Sequence, residues 1–483
     1  MVRNGVMMQF FEWYLPNHGN LWKIIKNEAS HLHKLGVTAL WIPPAYKAIS
    51  QENEGYATYD LYDLGEFRQK GTVRTKYGKK RDLKKMVSEL HRYDINIYLD
   101  AVMNHKAGAD YAERCLVKEV NPHQRHEYIS GEYEIEGMTG FTFPGRRNNY
   151  SDFKWNKKCF SGLDYDKKTN RKGVFQIVED GKTWNDGVDK ENGNYDYLMF
   201  ANLDFSNPEV VGEMNKWGIW VTKELNLDGM RLDAVKHIKN TFIKEFLETI
   251  RSEYGESFYA VGEYWTRNIN ILENYLNAVS YSFNLFDVPL HYNLFDASRL
   301  KRNYNLSTLL DNTLVTKHPE LAVTFVDNHD SQKGCSLESE IEEWFKPSAY
   351  ALILLMKDGY PCLFYGDYYG IRSKKSSIRT TLDLLMKIRR QYAFGEQINY
   401  FDHPGTVGLI RLGDDEYPGS GLALLISNGD DGKKNMYVGK NRAGECWFEC
   451  SGDIRQEVVI DEKGYGTFYV NGGTFAVWVH TYS

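Results

Sequence analysis

Residues 228–237 read D-G-M-R-L-D-A-V-K-H, a short apolar run that ends in charged side chains. Arg231 and Asp233 lie two residues apart, so in an extended strand their side chains share one face. A helical stretch, residues 241–254, separates this run from the next apolar run, which ends at Glu263. The segment therefore predicts a strand, a helix and a second strand, with an ionisable group at the end of each strand.

The alternation of strand and helix extends over most of the chain. Apolar runs such as V-T-A-L-W-I at 37–42 and I-N-I-Y-L-D-A-V at 95–102 are bounded by turn residues, and helical periodicity lies between them. Counting from Val6–Trp13, we find about eight such runs. This pattern predicts an α/β fold, a (β/α)8 TIM barrel whose strands are parallel and whose helices lie outside.

Two segments lack this alternation. Residues 105–205 are rich in glycine, asparagine, aspartate and aromatic residues and show little helical period, which predicts a small inserted β-rich domain (domain B) after strand 3 of the barrel. From residue 397 onward, alternating apolar and polar runs predict a C-terminal antiparallel β-sandwich. The expected domains are the barrel in two parts (1–104 and 206–396), the inserted domain (105–205) and the sandwich (397–483).

The composition limits the classes of partner. The 483 residues are 42% hydrophobic and 26% charged, which is typical of globular proteins with two or three domains. A formal net charge of −6 gives no reason to expect nucleic acid or an anionic membrane as a partner. No apolar stretch reaches the length of about 20 residues that a membrane-spanning helix needs. Aromatic residues make up 14% of the chain, and their flat rings suit a cleft that binds sugars.

Cysteine usage and the N-terminus predict a cytoplasmic protein. None of the six cysteines forms a C-x-x-C pair, so we expect reduced thiols, with disulfides as the alternative. The chain is strand-like from Val6, which leaves no room for a signal peptide, although a signal peptide removed earlier would change this expectation.

Three carboxylates lie at or just past the ends of apolar runs: Asp233, Glu263 and Asp330, the last of which ends L-A-V-T-F-V-D-N-H-D at 321–330. In a TIM barrel the active site lies at the carboxyl ends of the strands, so these side chains should converge. Converging carboxylates suit glycoside hydrolysis, in which one attacks the anomeric carbon and one protonates the leaving oxygen. We expect Arg231 to lower the pKa of Asp233, the nucleophile, and apolar surroundings to raise the pKa of Glu263, the acid and base. Asp330 would hold substrate hydroxyls and face the developing positive charge.

His105, His237 and His329 also fall at strand ends, each within a few residues of a carboxylate or an amide. We interpret them as hydrogen-bond donors to sugar hydroxyls; a structural role for each is the alternative. A metal-dependent hydrolase with histidine ligands is a further alternative, but these histidines lie on three different strand ends and not at the spacing of metal ligands.

Six motifs spread over nearly the whole chain carry a family resemblance. They are M-Q-F-F-E-W-Y at 8–14, D-A-V-M-N-H at 100–105, E-N-G-N-Y-D-Y-L-M at 191–199, G-M-R-L-D-A-V-K-H at 229–237, G-E-Y-W at 262–265 and F-V-D-N-H-D at 325–330. Together they resemble the α-amylases, which are retaining α-glucan hydrolases, and in particular the bacterial liquefying type and its cytoplasmic branch. The resemblance implies endo-hydrolysis of α-1,4 bonds in starch, glycogen or maltodextrins, with retention through a covalent glycosyl-enzyme.

The resemblance also implies substrate contacts. Tyr56 matches the aromatic platform below the sugar at the cleavage point, and Lys236 and His237 match contacts to the sugar on the leaving side. The full set of expected substrate-binding residues is Trp13, Tyr56, His105, Arg231, Lys236, His237, Trp265 and His329. The expected partner is therefore an α-glucan polysaccharide or oligosaccharide, and the sequence does not specify an oligomeric state.

A calcium site shared by the family matches four positions of this chain. They are Asn104, Asp196, Asn202 and the main-chain carbonyl of His237. Secreted relatives usually have an aspartate at position 202, and calcium prefers anionic oxygens, so we expect one calcium that binds more weakly. Direct hydrogen bonding between the two domains through Asn104 and Asn202 is the alternative.

Secreted liquefying enzymes carry a second, linked metal cluster. The matching positions here are Ser161, Asn185, Asp204 and Ser206, of which only Asp204 is acidic. We therefore expect the second cluster to be absent, which agrees with a cytoplasmic location, where calcium is scarce.

Two other functions are compatible with this fold. A non-catalytic glucan-binding protein would account for the aromatic residues but would not need three intact carboxylates. An exo-hydrolase of maltodextrins or a glucanotransferase would need them, and fold alone does not separate these activities. The product profile does, because an endo-enzyme lowers the viscosity of starch rapidly.

Overall fold

The computed structural model describes residues 4–372, 374–452 and 454–480. Within these ranges eight parallel strands close into a barrel, and successive strands are neighbours. The barrel strands are β1 (Met7–Gln9), β2 (Ala39–Ile42), β3 (Asn96–Ala101), β4 (Gly229–Leu232), β5 (Tyr259–Gly262), β6 (Asn284–Phe286), β7 (Ala322–Phe325) and β8 (Tyr360–Phe364). Since β1 pairs with both β2 and β8, the barrel is closed, which confirms the predicted TIM fold.

Helices follow the barrel strands along the chain. They are α1 (Leu21–Leu35), α2 (Lys80–His91), α3 (Pro208–Leu225), α4 (Asn240–Tyr254), α5 (Ile269–Ala278), α6 (Val288–Leu300), α7 (Leu314–Lys317), α8 (Lys346–Leu355), α9 (Tyr365–Tyr369) and α10 (Arg379–Tyr392). In α3 the Asn207 side chain caps the first turn by accepting a hydrogen bond from Glu209 N, and Met214 and Trp217 are fully buried. Within the described ranges, no helix has both the length and the apolar character needed to span a membrane.

The segment between β3 and α3 forms an antiparallel sheet. Its strands are His105–Lys106, Tyr111–Asn121, Gln124–Tyr128, Tyr133–Gly140, Phe160–Asp166, Arg171–Ile177 and Ala201–Leu203. The first and the last of these strands pair with each other, with Asn202 opposite His105. The two ends of the inserted segment are thereby held together where β3 ends.

The C-terminal part forms the predicted antiparallel β-sandwich. One sheet contains Gln397–Tyr400, Thr406–Arg411, Leu422–Ser427, Phe475–Val479, Cys446–Glu449 and Val458–Val459, and the other contains Gly432–Tyr437 and Tyr465–Val470. Trp447, Phe468 and Trp478 are fully buried in a hydrophobic core that is distinct from the barrel core.

The barrel brings the predicted carboxylates to one end. Asp233 and Glu263 are each the first residue after a strand, β4 and β5, and Asp330 lies in the turn after β7. Because the strands are parallel, their carboxyl ends lie on the same side of the barrel. The three side chains therefore lie at the end of the barrel from which the inserted segment also emerges.

Candidate active site

Arg231 lies at the centre of the site and is fully buried. Its Nη1 donates hydrogen bonds to Asp233 Oδ1 at 2.5 Å and to Asp100 Oδ1 at 2.8 Å, and its Nη2 donates to Glu263 Oε2 at 2.7 Å. One guanidinium thus holds three carboxylates in charge-assisted hydrogen bonds. These bonds fix the positions of the carboxylates and compensate part of their charge.

Asp100 belongs to this cluster but is not among the site residues expected from the sequence. It is fully buried on β3, and its Oδ2 accepts hydrogen bonds from Tyr56 Oη at 2.8 Å and from Trp41 Nε1 at 3.0 Å. Asp100 therefore links the guanidinium to the aromatic platform. Asp100 lies near the carboxyl end of an apolar run, as Asp233 does. The same sequence pattern could therefore have identified it.

Burial raises the pKa of Asp233 to about 6, although the charge of Arg231 lowers it, and the charge of Asp100 raises it further. The prediction of a low pKa for Asp233 is therefore wrong. The guanidinium is shared among three carboxylates in a site from which water is largely excluded, so its charge does not offset the desolvation of any one of them.

Glu263 and Asp330 also have raised pKa values. Burial raises the pKa of Glu263, Arg231 lowers it and the charge of Asp233 raises it further, so the direction agrees with the acid role expected for Glu263. Burial and the charge of Glu263 raise the pKa of Asp330 to about 8. Burial and the mutual repulsion of the ionised groups therefore favour the protonated form of a carboxyl group in this cluster, which suits an acid.

Three nearly parallel rings, Trp13, Tyr56 and His329, form an aromatic wall beside the carboxylates. The Tyr56 and His329 ring centroids lie 5.1 Å apart with an interplanar angle of 8°, and those of Trp13 and Tyr56 lie 5.7 Å apart at 13°. Trp13 and Tyr56 are partly exposed. Rings of this kind can cover the apolar face of a sugar, which agrees with the binding role expected for them.

His329 is buried, and burial together with the charge of Arg231 lowers its pKa well below the usual range. Gln9 Nε2 lies 3.0 Å from His329 Nδ1, and His329 Nε2 lies 3.4 Å from Asp330 Oδ2. When Gln9 donates to Nδ1, the proton of the neutral ring is on Nε2, where it faces Asp330. Gln9 lies in the motif at 8–14 but is not among the site residues expected from the sequence, since an amide inside a strand does not by itself indicate a chemical role.

Lys236, His237 and Trp265 form a second group beyond β4 and β5. Lys236 Nζ lies 2.8 Å from Glu191 Oε2 and 3.4 Å from the Trp265 carbonyl oxygen, and His237 Nδ1 lies 2.7 Å from the Tyr195 carbonyl oxygen. Glu191 and Tyr195 belong to the inserted segment. That segment therefore contacts the expected leaving-side residues and takes part in forming the site.

His105 contacts the backbone of the aromatic wall. It is buried, its Nε2 lies 2.8 Å from the Tyr56 carbonyl oxygen, and burial lowers its pKa to about 4. His105 is therefore neutral and helps to fix the position of Tyr56. A direct contact between His105 and substrate stays a prediction.

The side chains at the expected calcium site bond one another. Asn104 Nδ2 donates to Asn202 Oδ1 at 2.9 Å, and Asn202 Nδ2 donates to Ser161 Oγ at 3.0 Å. Asp196 accepts hydrogen bonds from Ser161 Oγ at 2.9 Å and from Asn185 Nδ2 at 3.0 Å. In the described ranges, no cluster of three or more histidine, cysteine, aspartate or glutamate side chains could hold a metal. This geometry fits direct hydrogen bonding better than the expected weak calcium, because N–H and O–H groups face the one carboxylate.

Comparison with known proteins identifies the family to which the chain belongs. A family model described as the α-amylase catalytic domain matches residues 14–397. The chain belongs to the α-amylase family. It is 49% identical to an α-amylase from Bacillus licheniformis and 49% identical to a glucan 1,4-α-maltohexaosidase from Bacillus sp. (strain 707), over 99% of this chain and 93% and 92% of those proteins. It is 42% identical to a cytoplasmic α-amylase from Escherichia coli (strain K12), over 99% of both chains.

Solved structures of α-amylases share the fold. The crystal structure of an α-amylase from Geobacillus thermoleovorans in complex with acarbose matches with a TM-score of 0.67 at 19% identity, over 99% of this chain and 98% of that chain. This member of the α-amylase family is an enzyme, a glycoside hydrolase, as the sequence predicts. Since its identity to the two Bacillus proteins exceeds that to the Escherichia coli protein, whole-chain identity alone does not assign it to a cytoplasmic branch.

We expect activity to fall as the pH drops through about 6. If Asp233 is the nucleophile it must be ionised, and because burial raises its pKa to about 6, it is ionised above that pH and protonated below it. The pH profile of kcat/KM on a soluble α-glucan measures this, with the melting temperature recorded at each pH to separate protonation from unfolding. An acid limb near the ordinary aspartate value of about 4 would instead show that Arg231 outweighs burial.

Proposed function

We propose that this enzyme hydrolyses internal α-1,4 bonds of starch, glycogen or maltodextrins and retains the anomeric configuration. The observation that carries the proposal is the contact of Asp233 and Glu263 with the same Arg231 guanidinium. Two carboxyl groups bound to one small planar group lie close together. This favours the separation of about 5–5.5 Å found in retaining enzymes over the roughly 6.5–9.5 Å found in inverting ones.

The proposed reaction has two steps. Asp233 first attacks the anomeric carbon while Glu263 donates a proton to the glycosidic oxygen, so the leaving glucan departs with a hydroxyl group and a covalent glycosyl-enzyme remains. Glu263, now ionised, then takes a proton from a water molecule, whose oxygen attacks the same carbon and releases Asp233. The two successive inversions give retention, and Arg231 holds both carboxyl groups in place throughout.

The remaining residues are proposed to bind and orient the glucan. Asp330 and His329 would bind hydroxyl groups of the sugar that is attacked, since the neutral His329 presents an N–H group beside the Asp330 carboxyl. The aromatic wall would cover one face of that sugar. Lys236 and His237, which contact the inserted segment, would bind the sugar on the leaving side, and Trp265 would be a further contact to the substrate.

Replacing Glu263 by glutamine tests the acid and base role. We expect Glu263→Gln to lower kcat on soluble starch by about 10²–10⁴-fold, because an amide of nearly the same shape cannot transfer the proton. Glu253→Gln, an exposed change on α4, serves as the matched control and should leave kcat unchanged. Near-normal activity of Glu263→Gln would contradict the proposed mechanism.

The mode of attack and the stereochemistry need their own measurement. We expect starch viscosity to fall early relative to the release of reducing ends, and NMR of the first products to show the α-anomer before mutarotation. A slow fall in viscosity would favour the exo-hydrolase. Longer products made from a single maltodextrin would identify a glucanotransferase, and an initial β-anomer would rule out retention.

We propose a cytoplasmic location for this enzyme. All six cysteines are free, and two of them, Cys335 and Cys450, are only partly buried, which agrees with a reducing compartment. The family resemblance to cytoplasmic α-amylases points in the same direction. Fractionation of the native host cells should place the protein with a cytosolic marker, and its recovery from the periplasm or the medium would refute this.

A further inference from the structure

A lysine ammonium lies where the family resemblance places a second metal cluster. Lys182 Nζ lies 3.0 Å from Asp204 Oδ2 and donates hydrogen bonds to the carbonyl oxygens of Lys158 at 2.6 Å and Phe160 at 3.0 Å. Two of the N–H groups of the ammonium bond the carbonyl oxygens, and its charge pairs with that of Asp204. The Lys182 side chain is 16% exposed and that of Asp204 is 3% exposed, so the pair is largely shielded from solvent.

The second oxygen of Asp204 also has partners within the protein. Asp204 Oδ1 accepts hydrogen bonds from the hydroxyl group of Ser206 and from its main-chain N–H. The carboxylate is therefore bonded on both oxygens and is neutralised by a cation that belongs to the chain itself.

Asp196, the other carboxylate of this region, is bonded in the same way. Its Oδ2 accepts hydrogen bonds from Ser161 Oγ at 2.9 Å and from Asn185 N at 3.0 Å, and Asn185 Nδ2 lies 3.0 Å from both carboxylate oxygens. Every one of these groups presents a hydrogen to Asp196. These N–H and O–H groups surround the carboxylate in the space that a bound metal ion and its other oxygen ligands would occupy.

Two amide oxygens of this region, Asn104 Oδ1 and Asn185 Oδ1, are buried without a hydrogen-bond partner. They are the side-chain oxygens of this region that have no partner in the protein and that a cation could contact beside the Asp196 carboxylate. Calcium, however, takes about 6–8 oxygen ligands and owes its affinity mainly to carboxylates. The two amide oxygens are neutral, Asp196 is surrounded by N–H and O–H donors, and Asp204 is paired with Lys182. The donor set therefore does not fit a calcium ion.

We propose that the Lys182 ammonium and the Asn185 amide replace bound calcium at the junction of the inserted segment and the barrel, so that this enzyme needs no metal ion for stability. The junction is then held by the chain of hydrogen bonds from Asn104 through Asn202 and Ser161 to Asp196. The ion pair of Lys182 with Asp204 joins two parts of the inserted segment next to this chain. This inference concerns stability and metal content and is independent of the proposed catalytic function.

The first test is chelation of the full-length protein. After dialysis against a chelator, we expect the metal content to be far below one calcium per chain. We expect the melting temperature to be unchanged, and millimolar calcium should not raise it. A fall in melting temperature on chelation that calcium reverses would overturn the proposal. Starch hydrolysis measured on the same samples does not decide the matter, because loss of the proposed activity would leave these readouts intact.

The second test removes the internal cation. Lys182→Met leaves the buried Asp204 carboxylate without its ammonium, so we expect the melting temperature to fall by about 2 °C or more. Lys172→Met, which removes an exposed lysine from the same segment, is the matched control and should have no effect. In Lys182→Met/Asp204→Asn the unpaired charge is gone, and most of the stability should return.

The outcomes of this test are distinguishable. Equal melting temperatures of Lys182→Met and Lys172→Met would refute the role of the ammonium. If Lys182→Met does not fold, a folded double variant supports the ion pair and an unfolded one refutes it. As a converse test, Lys182→Ala/Asn185→Asp/Asn202→Asp restores an anionic cage, and its melting temperature should rise with added calcium. If added calcium does not change the melting temperature of the triple variant, these positions do not control metal binding.

Discussion

The shared Arg231 guanidinium is the constraint on which the active site depends. Three buried carboxylates without a cation, or a buried guanidinium without partners, would each be strongly destabilising. Barrel geometry meets this requirement through strand register: Arg231 on β4 lies directly opposite Asp100 on β3, and Glu263 follows the neighbouring β5. The positions of the reacting groups are therefore set by paired strands of the barrel and only secondarily by loops.

The same register explains what the sequence could and could not predict. A carboxylate after an apolar run marks the end of a barrel strand, so Asp233, Glu263 and Asp330 and the barrel itself follow from local patterns. The pKa of Asp233 does not, because it depends first on how deeply the carboxyl group is buried and then on how many groups share Arg231. That number becomes visible only when the adjacent strand places Asp100 against the guanidinium.

Contacts between distant parts of the chain account for the other differences between the sequence-based predictions and the structure. Gln9 contacts His329 across 320 residues, and no local pattern connects the two. The calcium site expected from the resemblance rests on the positions at which the family has ligands. Lys182 is not one of those positions, and its approach to Asp204 depends on the folded path of the inserted segment.

The Lys182–Asp204 contact has a thermodynamic consequence that differs from that of a bound ion. A dissociable ligand stabilises a protein by mass action, in proportion to the logarithm of its free concentration relative to its dissociation constant. A cation attached to the chain has no such equilibrium: its stoichiometry is one at any dilution and in any ionic medium. On the proposal made above, folding of the inserted segment does not require the capture of a metal ion from its surroundings.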